Sequence, residues 1–131
     1  MLKSNIFLRK LSVAVKRPHF RAPKFIGLSG SSRMGSLNTM LLKATSAIAV
    51  DAGAEVNIID MNQYKLPLFS EDMEKDLPTC VIDLKKAFLN CDGFIIASPE
   101  YNGSITPLLC NTLAWMSRTL GEKEGACVTV V

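Results

Sequence analysis

The stretch Gly30-Ser31-Ser32-Arg33-Met34-Gly35-Ser36-Leu37-Asn38 collects the groups that an anion requires. Gly30 and Gly35 let the backbone bend and approach a ligand closely. Ser31, Ser32, Ser36 and Asn38 supply short side-chain donors, and Arg33 supplies a guanidinium fork suited to phosphate. A helix beginning near Ser36 adds free N–H groups and the positive end of its dipole. Two well-known phosphate loops are excluded. A Walker loop needs Lys where Ser36 stands, and no G-x-G-x-x-G occurs anywhere in the chain. The loop therefore suits a terminal phosphate better than a triphosphate or pyrophosphate.

A second polar stretch, Ser98–Ser104, reads SPEYNGS. Pro99 stiffens it, Glu100, Tyr101 and Asn102 follow, and Gly103 frees the backbone. An aromatic ring and an amide near a phosphate pocket fit a flat heterocycle, which needs a face and an edge. Taken alone, Tyr101 reads equally well as a surface or interface aromatic, and the first stretch as a Ser/Gly turn with a helix cap. What decides between these readings is whether the fold brings the two stretches together.

The elements around them predict that it does. Lys24–Ser29 is a short apolar run that stops at Gly30, as a buried strand does. Ser36–Val50 reads as a helix, with Leu37, Met40, Leu41, Ala44 and Ile48 at helical spacing, Ser36 as its N-cap and Gly53 as its end. Glu55–Asp60 is a second strand. A loop with Pro67 and the acidic cluster Glu71–Asp76 follows. Pro78 opens a helix over Thr79–Asn90, with Val81, Leu84, Phe88 and Leu89 facing inward. Phe94–Ala97 is a third strand, Thr106 and Pro107 begin a helix running to about Leu120, Gly121–Gly125 is a turn, and Ala126–Val131 is a fourth strand. This strand–helix alternation predicts an α/β fold, a parallel sheet with helices on both faces. In the strand order 2-1-3-4-5, ligands bind beyond the carboxyl ends of the first and third strands. The two polar stretches follow those two strands.

Composition narrows the class. The 131 residues suffice for one core, and the apolar fraction of 48% is ordinary for a globular protein. No apolar run approaches the roughly 20 residues that span a bilayer, so no membrane role is expected. The net charge of +3 divides unevenly. Lys3, Arg9, Lys10, Lys16, Arg17, Arg21 and Lys24 precede the first acid of the chain, Asp51. The rest of the chain is net acidic, which argues against nucleic acid as a partner. Cys80, Cys91, Cys110 and Cys127 form no C-x-x-C pair, and the single histidine is His19; buried or half-buried free thiols are expected, and no metal site. Residues 1–23 form a basic leader without acids. Arg9 and Lys10 interrupt its apolar run, so it fits an organellar transit peptide, mitochondrial more than plastid, better than a secretory signal. A disordered basic tail on a cytoplasmic protein is the alternative.

Together the two stretches resemble a known family. GSSRMGSLN is similar to the phosphate signature G-S-x-R-x-x-S-x-N of the NADPH-dependent FMN reductases, and SPEYNGSITPLLCNTLAW to their S-P-x-Y-N-G-S-x-P…N…D-W segment. The resemblance covers about residues 24–131 and implies a flavodoxin-like three-layer sandwich. It implies that Ser31, Arg33, Ser36 and Asn38 hold the phosphate of FMN. Pro99, Glu100, Tyr101, Asn102 and Gly103 would line the ribityl chain and the flavin ring. It also implies hydride transfer from NADPH or NADH to the flavin and two electrons onward to a quinone-like or other small acceptor, with homo-oligomers, dimers or tetramers, common. The flavin performs the chemistry, so no side chain is expected to be a nucleophile or acid–base catalyst.

The match is imperfect. Thr106 precedes Pro107 where an aliphatic-Pro step is usual, Cys110 replaces a common Lys, and Ala114 replaces a common Asp. The chain also stops inside the expected fourth strand, so the sheet order is 2-1-3-4, without the fifth strand, the last helix and the flavin loop after the fourth strand. The expectation is a fragment, an incomplete gene model or a protein completed by association. Two other readings therefore stand beside the reductase: a flavodoxin-like FMN-binding or interaction module without turnover and, more weakly, an NAD(P)-binding Rossmann domain.

Overall fold

The computed structural model describes residues 21–118. At its centre is β1 (Lys24–Ser29), paired in parallel with β2 (Glu55–Ile59) on one side and β3 (Gly93–Ala97) on the other. The register sets Gly27 between Ile58 and Ile95, and Leu28 between Ile59 and Ile96. Alternate residues point to opposite faces of such a sheet. Ile26, Leu28 and Ile59 face one way and join Val81, Leu84, Phe88, Leu109, Trp115 and Met116 in a single core. That face is covered by α3 (Thr79–Leu89) and α4 (Pro107–Met116). The opposite face carries α1 (Leu37–Asp51), whose Leu42 shares with Ile58 the space that a β-carbon on Gly27 would take.

The predicted strands, helices and sheet order β2-β1-β3 are present, most ends shifted by a residue or so; α4 stops at Met116, with Ser117 as its C-cap, short of the expected end near Leu120. The turn at Gly121–Gly125, the fourth strand at Ala126–Val131, Cys127 and most of the leader lie outside the described residues. The expected loop between β2 and α3 carries a short helix α2 (Met61–Tyr64) and a 3-10 turn over Glu71–Lys75. Its middle is held by α4. Asn111 Nδ2 donates to the Pro67 carbonyl at 2.9 Å, and Trp115 Nε1 donates to the same oxygen at 2.8 Å. The Phe69 amide donates to Asn111 Oδ1 at 2.8 Å, and the Phe69 ring meets Trp115 edge-on at 5.0 Å.

Two expectations about side chains are corrected, and the facing of α1 is settled. Leu89 is exposed, because it lies one residue past Phe88 and is rotated about 100° off the buried stripe. Cys110 is exposed for the same reason beside buried Leu109, while Cys80 and Cys91 are half-buried. On α1 the apolar stripe that marks the helix faces solvent: Leu37 is 73% exposed, Ile48 70%, and Met40 and Leu41 are exposed beside them. The face turned to the sheet is carried by Leu42 and Ser46 instead. The main contacts of α1 are with β1, β2 and β3, whereas α3 and α4 also pack on each other.

At the end of the sheet away from the polar loops, Asp92 closes a clasp on the start of β1. Its carboxylate accepts the Lys24 amide at 2.8 Å and both terminal nitrogens of Arg21. The Lys24 hydrogen bond, then the Arg21 guanidinium, hold the Asp92 carboxyl below the ordinary carboxylate range.

Candidate functional site

The two polar stretches meet at their roots. The Gly30 amide donates to the Ala97 carbonyl at 2.8 Å, which carries the last rung of the β1–β3 pairing into the first loop. The Gly30 carbonyl accepts the hydroxyl of Thr106, the N-cap of α4, at 2.6 Å. Ser98 fills the space between them. A β-carbon on Gly30 would stand 2.5 Å from Ser98 Oγ and 3.0 Å from Thr106 Oγ1. The glycine is therefore set by lack of room and not by its backbone angles.

Past Gly30 the first loop is held by longer bonds. Ser31 accepts the Arg33 amide on its hydroxyl at 3.4 Å, and the Ser36 amide reaches the Arg33 carbonyl at 3.2 Å. Ser36 is buried and caps α1 by accepting the Thr39 amide at 3.4 Å. Ser29 and Thr39 share a hydroxyl hydrogen bond of 2.8 Å beneath the loop. The amides of Ser32, Gly35, Leu37 and Asn38 make no hydrogen bond among the described residues. These are the unpaired donors that a helix N-terminus presents. Arg33 is exposed and curls over the carbonyls of Met34 and Gly35 at 3.4 and 3.3 Å. Both bonds are long enough to be exchanged for stronger, charge-assisted ones.

The loop forms one wall of a hollow of about 350 Å³. Ser31, Arg33 and Ser36 line it; Asn38 sits half-buried in the first turn of α1 and does not. Its other walls come from Thr39, Met40, Lys43, Ile58, Asp60 and Asn62. Sequence reading missed Lys43, a second cation near the loop. Its only signal was its place one turn after Thr39, on the flank of α1 nearest β2.

The second stretch is a hairpin, where a loop was expected. β4 (Glu100–Tyr101) pairs with β5 (Ser104–Ile105) around a two-residue turn in which Asn102 and Gly103 have φ of 52° and 73°. Asn-Gly is the sequence signature of that turn, so the hairpin was legible. Pro99 is half-buried at its base, where its carbonyl accepts the Ser98 hydroxyl at 2.9 Å. Glu100, Tyr101, Asn102 and Gly103 are exposed, and none of residues 98–103 lines the hollow beside the first loop. The structure thus joins the loops at Gly30, Ser98 and Thr106, and leaves the tip of the hairpin in solvent. Asn111 and Trp115 serve the β2–α3 connection and not this site.

Among the described residues, no group of three or more His, Cys, Asp or Glu is placed to hold a metal ion, and no helix is long and apolar enough to cross a membrane.

The family described as NADPH-dependent FMN reductase matches residues 23–131. An NAD(P)H:quinone oxidoreductase of Solanum tuberosum is 40% identical over 99 residues, covering 72% of this chain and 50% of that protein. A 2-hydroxy-1,4-benzoquinone reductase of a Burkholderia species is 34% identical over 112 residues, covering 82% of this chain and 60% of that one. Among solved structures, the flavoenzyme NAD(P)H:(acceptor) oxidoreductase FerB of Paracoccus denitrificans superposes with a TM-score of 0.66 at 27% identity, over 76% of this chain and 53% of FerB. The chain spans about half the length of the curated relatives it matches.

Proposed function

The chain belongs to the NADPH-dependent FMN reductase family, and from that premise we propose that it is the FMN-holding part of an oxidoreductase. It would carry two electrons from NADPH or NADH to a quinone-type acceptor. The names of its relatives support the acceptor class. The observation that carries the reading is the row of unpaired amides at Ser32, Gly35, Leu37 and Asn38, beside the Arg33 guanidinium and the Ser31 hydroxyl.

These residues fit the terminal phosphate of FMN. Backbone N–H groups and one guanidinium match a dianion without burying an unpaired charge. Ser36 keeps the first turn of α1 in place by capping it, and its hydroxyl hydrogen remains available to an acceptor. Asn38 adds an amide in the same turn. Pro99, Glu100, Tyr101, Asn102 and Gly103 would line the remainder of the cofactor, with Tyr101 offering a ring face. Bound FMN supplies the two-electron relay between nicotinamide and acceptor. The chain's own task is to bind, orient and partly shield it, so no residue is assigned as a catalytic acid, base or nucleophile. Assembly into a homo-oligomer belongs to the same proposal; the exposed apolar stripe on α1 supports it. An organellar address for residues 1–23 is a separate part of the proposal, for which a reporter fusion is the test.

The experiment is a titration of the purified apo chain with FMN, followed by NADPH under nitrogen and then a benzoquinone. Quenched flavin fluorescence, bleaching at the flavin absorption band and return of colour with quinone are expected. Uptake without bleaching would leave a flavin-binding module without turnover. No uptake would overturn the reading.

A further inference from the structure

Thr106 is buried, 1% exposed, and its hydroxyl holds two elements at once. It accepts the Leu109 amide at 3.3 Å as the cap of α4, and it donates to the Gly30 carbonyl at 2.6 Å. The second bond has consequences beyond capping. The Gly30 carbonyl and the Ser31 amide belong to one planar peptide unit. The Ser31 amide donates to Ser29 Oγ at 3.3 Å, so that plane is gripped at both edges, by Thr106 and by Ser29. Gly30 is also fixed through its own amide, by the Ala97 carbonyl. The hydrogen bonds within the rest of the first loop, from Ser31 to Ser36, are 3.2 Å or longer. The loop is therefore oriented at its start, and the shortest bond that does so comes from a side chain 76 residues away.

We propose that Thr106 is a positioning residue for the phosphate loop. Its hydroxyl fixes the Gly30–Ser31 peptide plane, aims the following amides, and ties their direction to the base of the β4–β5 hairpin. This rests on the reading that the loop takes the phosphate of FMN. A residue that only capped α4 would affect stability alone. A residue that aims the amides controls how well the protein distinguishes FMN from riboflavin, which lacks the phosphate.

The test uses the full apo chain and reads the ratio of riboflavin to FMN dissociation constants by fluorescence quenching. Thr106→Val removes the hydroxyl at nearly constant volume. It should lower that ratio about fivefold to tenfold, the equivalent of one lost hydrogen bond. Thr106→Ser, which keeps the hydroxyl, should stay within about twofold of the wild type on the same scale. Trp115→Phe loosens α4 without touching Gly30; it should lower the melting temperature and leave the ratio unchanged. Thr106→Ala serves in place of the valine variant if that one does not fold. An unchanged ratio in the hydroxyl-less variant, or an equal fall in Trp115→Phe, overturns the proposal. A second readout needs no flavin. Amide hydrogen exchange at Gly30 and Ser31 should accelerate in Thr106→Val and not in Trp115→Phe. Failure there overturns the positioning role even if FMN binds, whereas a wild-type chain that ignores flavin but shows the exchange difference overturns only the functional reading.

Discussion

Replacing Gly30 by alanine adds one methyl group where the two loops join. Ideal placement sets it 2.5 Å from Ser98 Oγ, 2.9 Å from Ser98 Cβ and 3.0 Å from Thr106 Oγ1. The first contact must open by at least about half an ångström to clear 3.0 Å. Neither neighbour is free to swing. Ser98 Oγ donates to the Pro99 carbonyl at 2.9 Å, and Thr106 is bonded to Gly30 itself. Relief therefore breaks a hydrogen bond or separates β1 from β3. Overpacking of a tight site costs about 1–3 kcal/mol, and one lost hydrogen bond adds about 1 kcal/mol. The expected loss is about 2–4 kcal/mol, and with a domain of this size losing roughly 4–8 °C per kcal/mol, a fall in melting temperature of roughly 8–30 °C. Urea denaturation of G30A beside the wild type measures it. Adding Ser98→Gly to G30A removes the two closest atoms, so a double-mutant cycle should show a coupling of about 1 kcal/mol or more in favour of the double variant. A G30A chain within about 0.5 kcal/mol of wild type, or a cycle with no coupling, would refute the steric argument.

Three other perturbations act elsewhere. Arg33→Ala should weaken FMN about tenfold or more, the loss of a charge-assisted bond, and leave riboflavin affinity unchanged by the same titration. Asn111→Ala removes the bonds to Pro67 and Phe69 and should lower stability by about 1–2 kcal/mol in urea with flavin affinity unaltered. Asp92 has a depressed carboxyl pKa, so its contribution is present above the ordinary carboxylate value of 3.8 and is lost as pH falls through the lower folded value. In acid titrations the stability difference between wild type and Asp92→Asn should stay level from neutrality down to about pH 4 and shrink below it, with amides at the start of β1 exchanging first.

Much of this arrangement was legible because the relevant signals are local. A short apolar run ending in glycine marked β1, serine before a periodic run marked the cap of α1, and Thr-Pro marked the start of α4. The polar loop proposed to take the phosphate is marked by residue types alone. The Asn102-Gly103 turn is equally local, since Asn-Gly is the signature of a two-residue hairpin turn. What stayed hidden depends on contacts distant in sequence. Thr106 reads as a helix cap, and nothing in its neighbours announces the bond to Gly30. Asn111 and Trp115 read as part of a flavin motif, yet they fasten Pro67. The orientation of α1 was hidden too, because helical spacing identifies a stripe without saying which side of the helix meets the sheet.

That stripe has a consequence for how the polypeptide behaves in solution. Fully hiding a leucine or isoleucine side chain is favourable by about 1.5–3 kcal/mol, and Leu37, Leu41 and Ile48 stand in one row on the open side of α1. The free energy of residues 21–118 is thus unusually sensitive to the solvent itself. Sulfate and phosphate salts, which raise the penalty on wetted apolar area, should salt the wild type out at lower concentration than a Leu41→Glu variant. Low-salt buffers and small amounts of non-ionic detergent should favour dispersal. The helix whose N-terminus follows the polar loop thus carries, along its outer flank, a row of apolar side chains through which added salt should act on solubility.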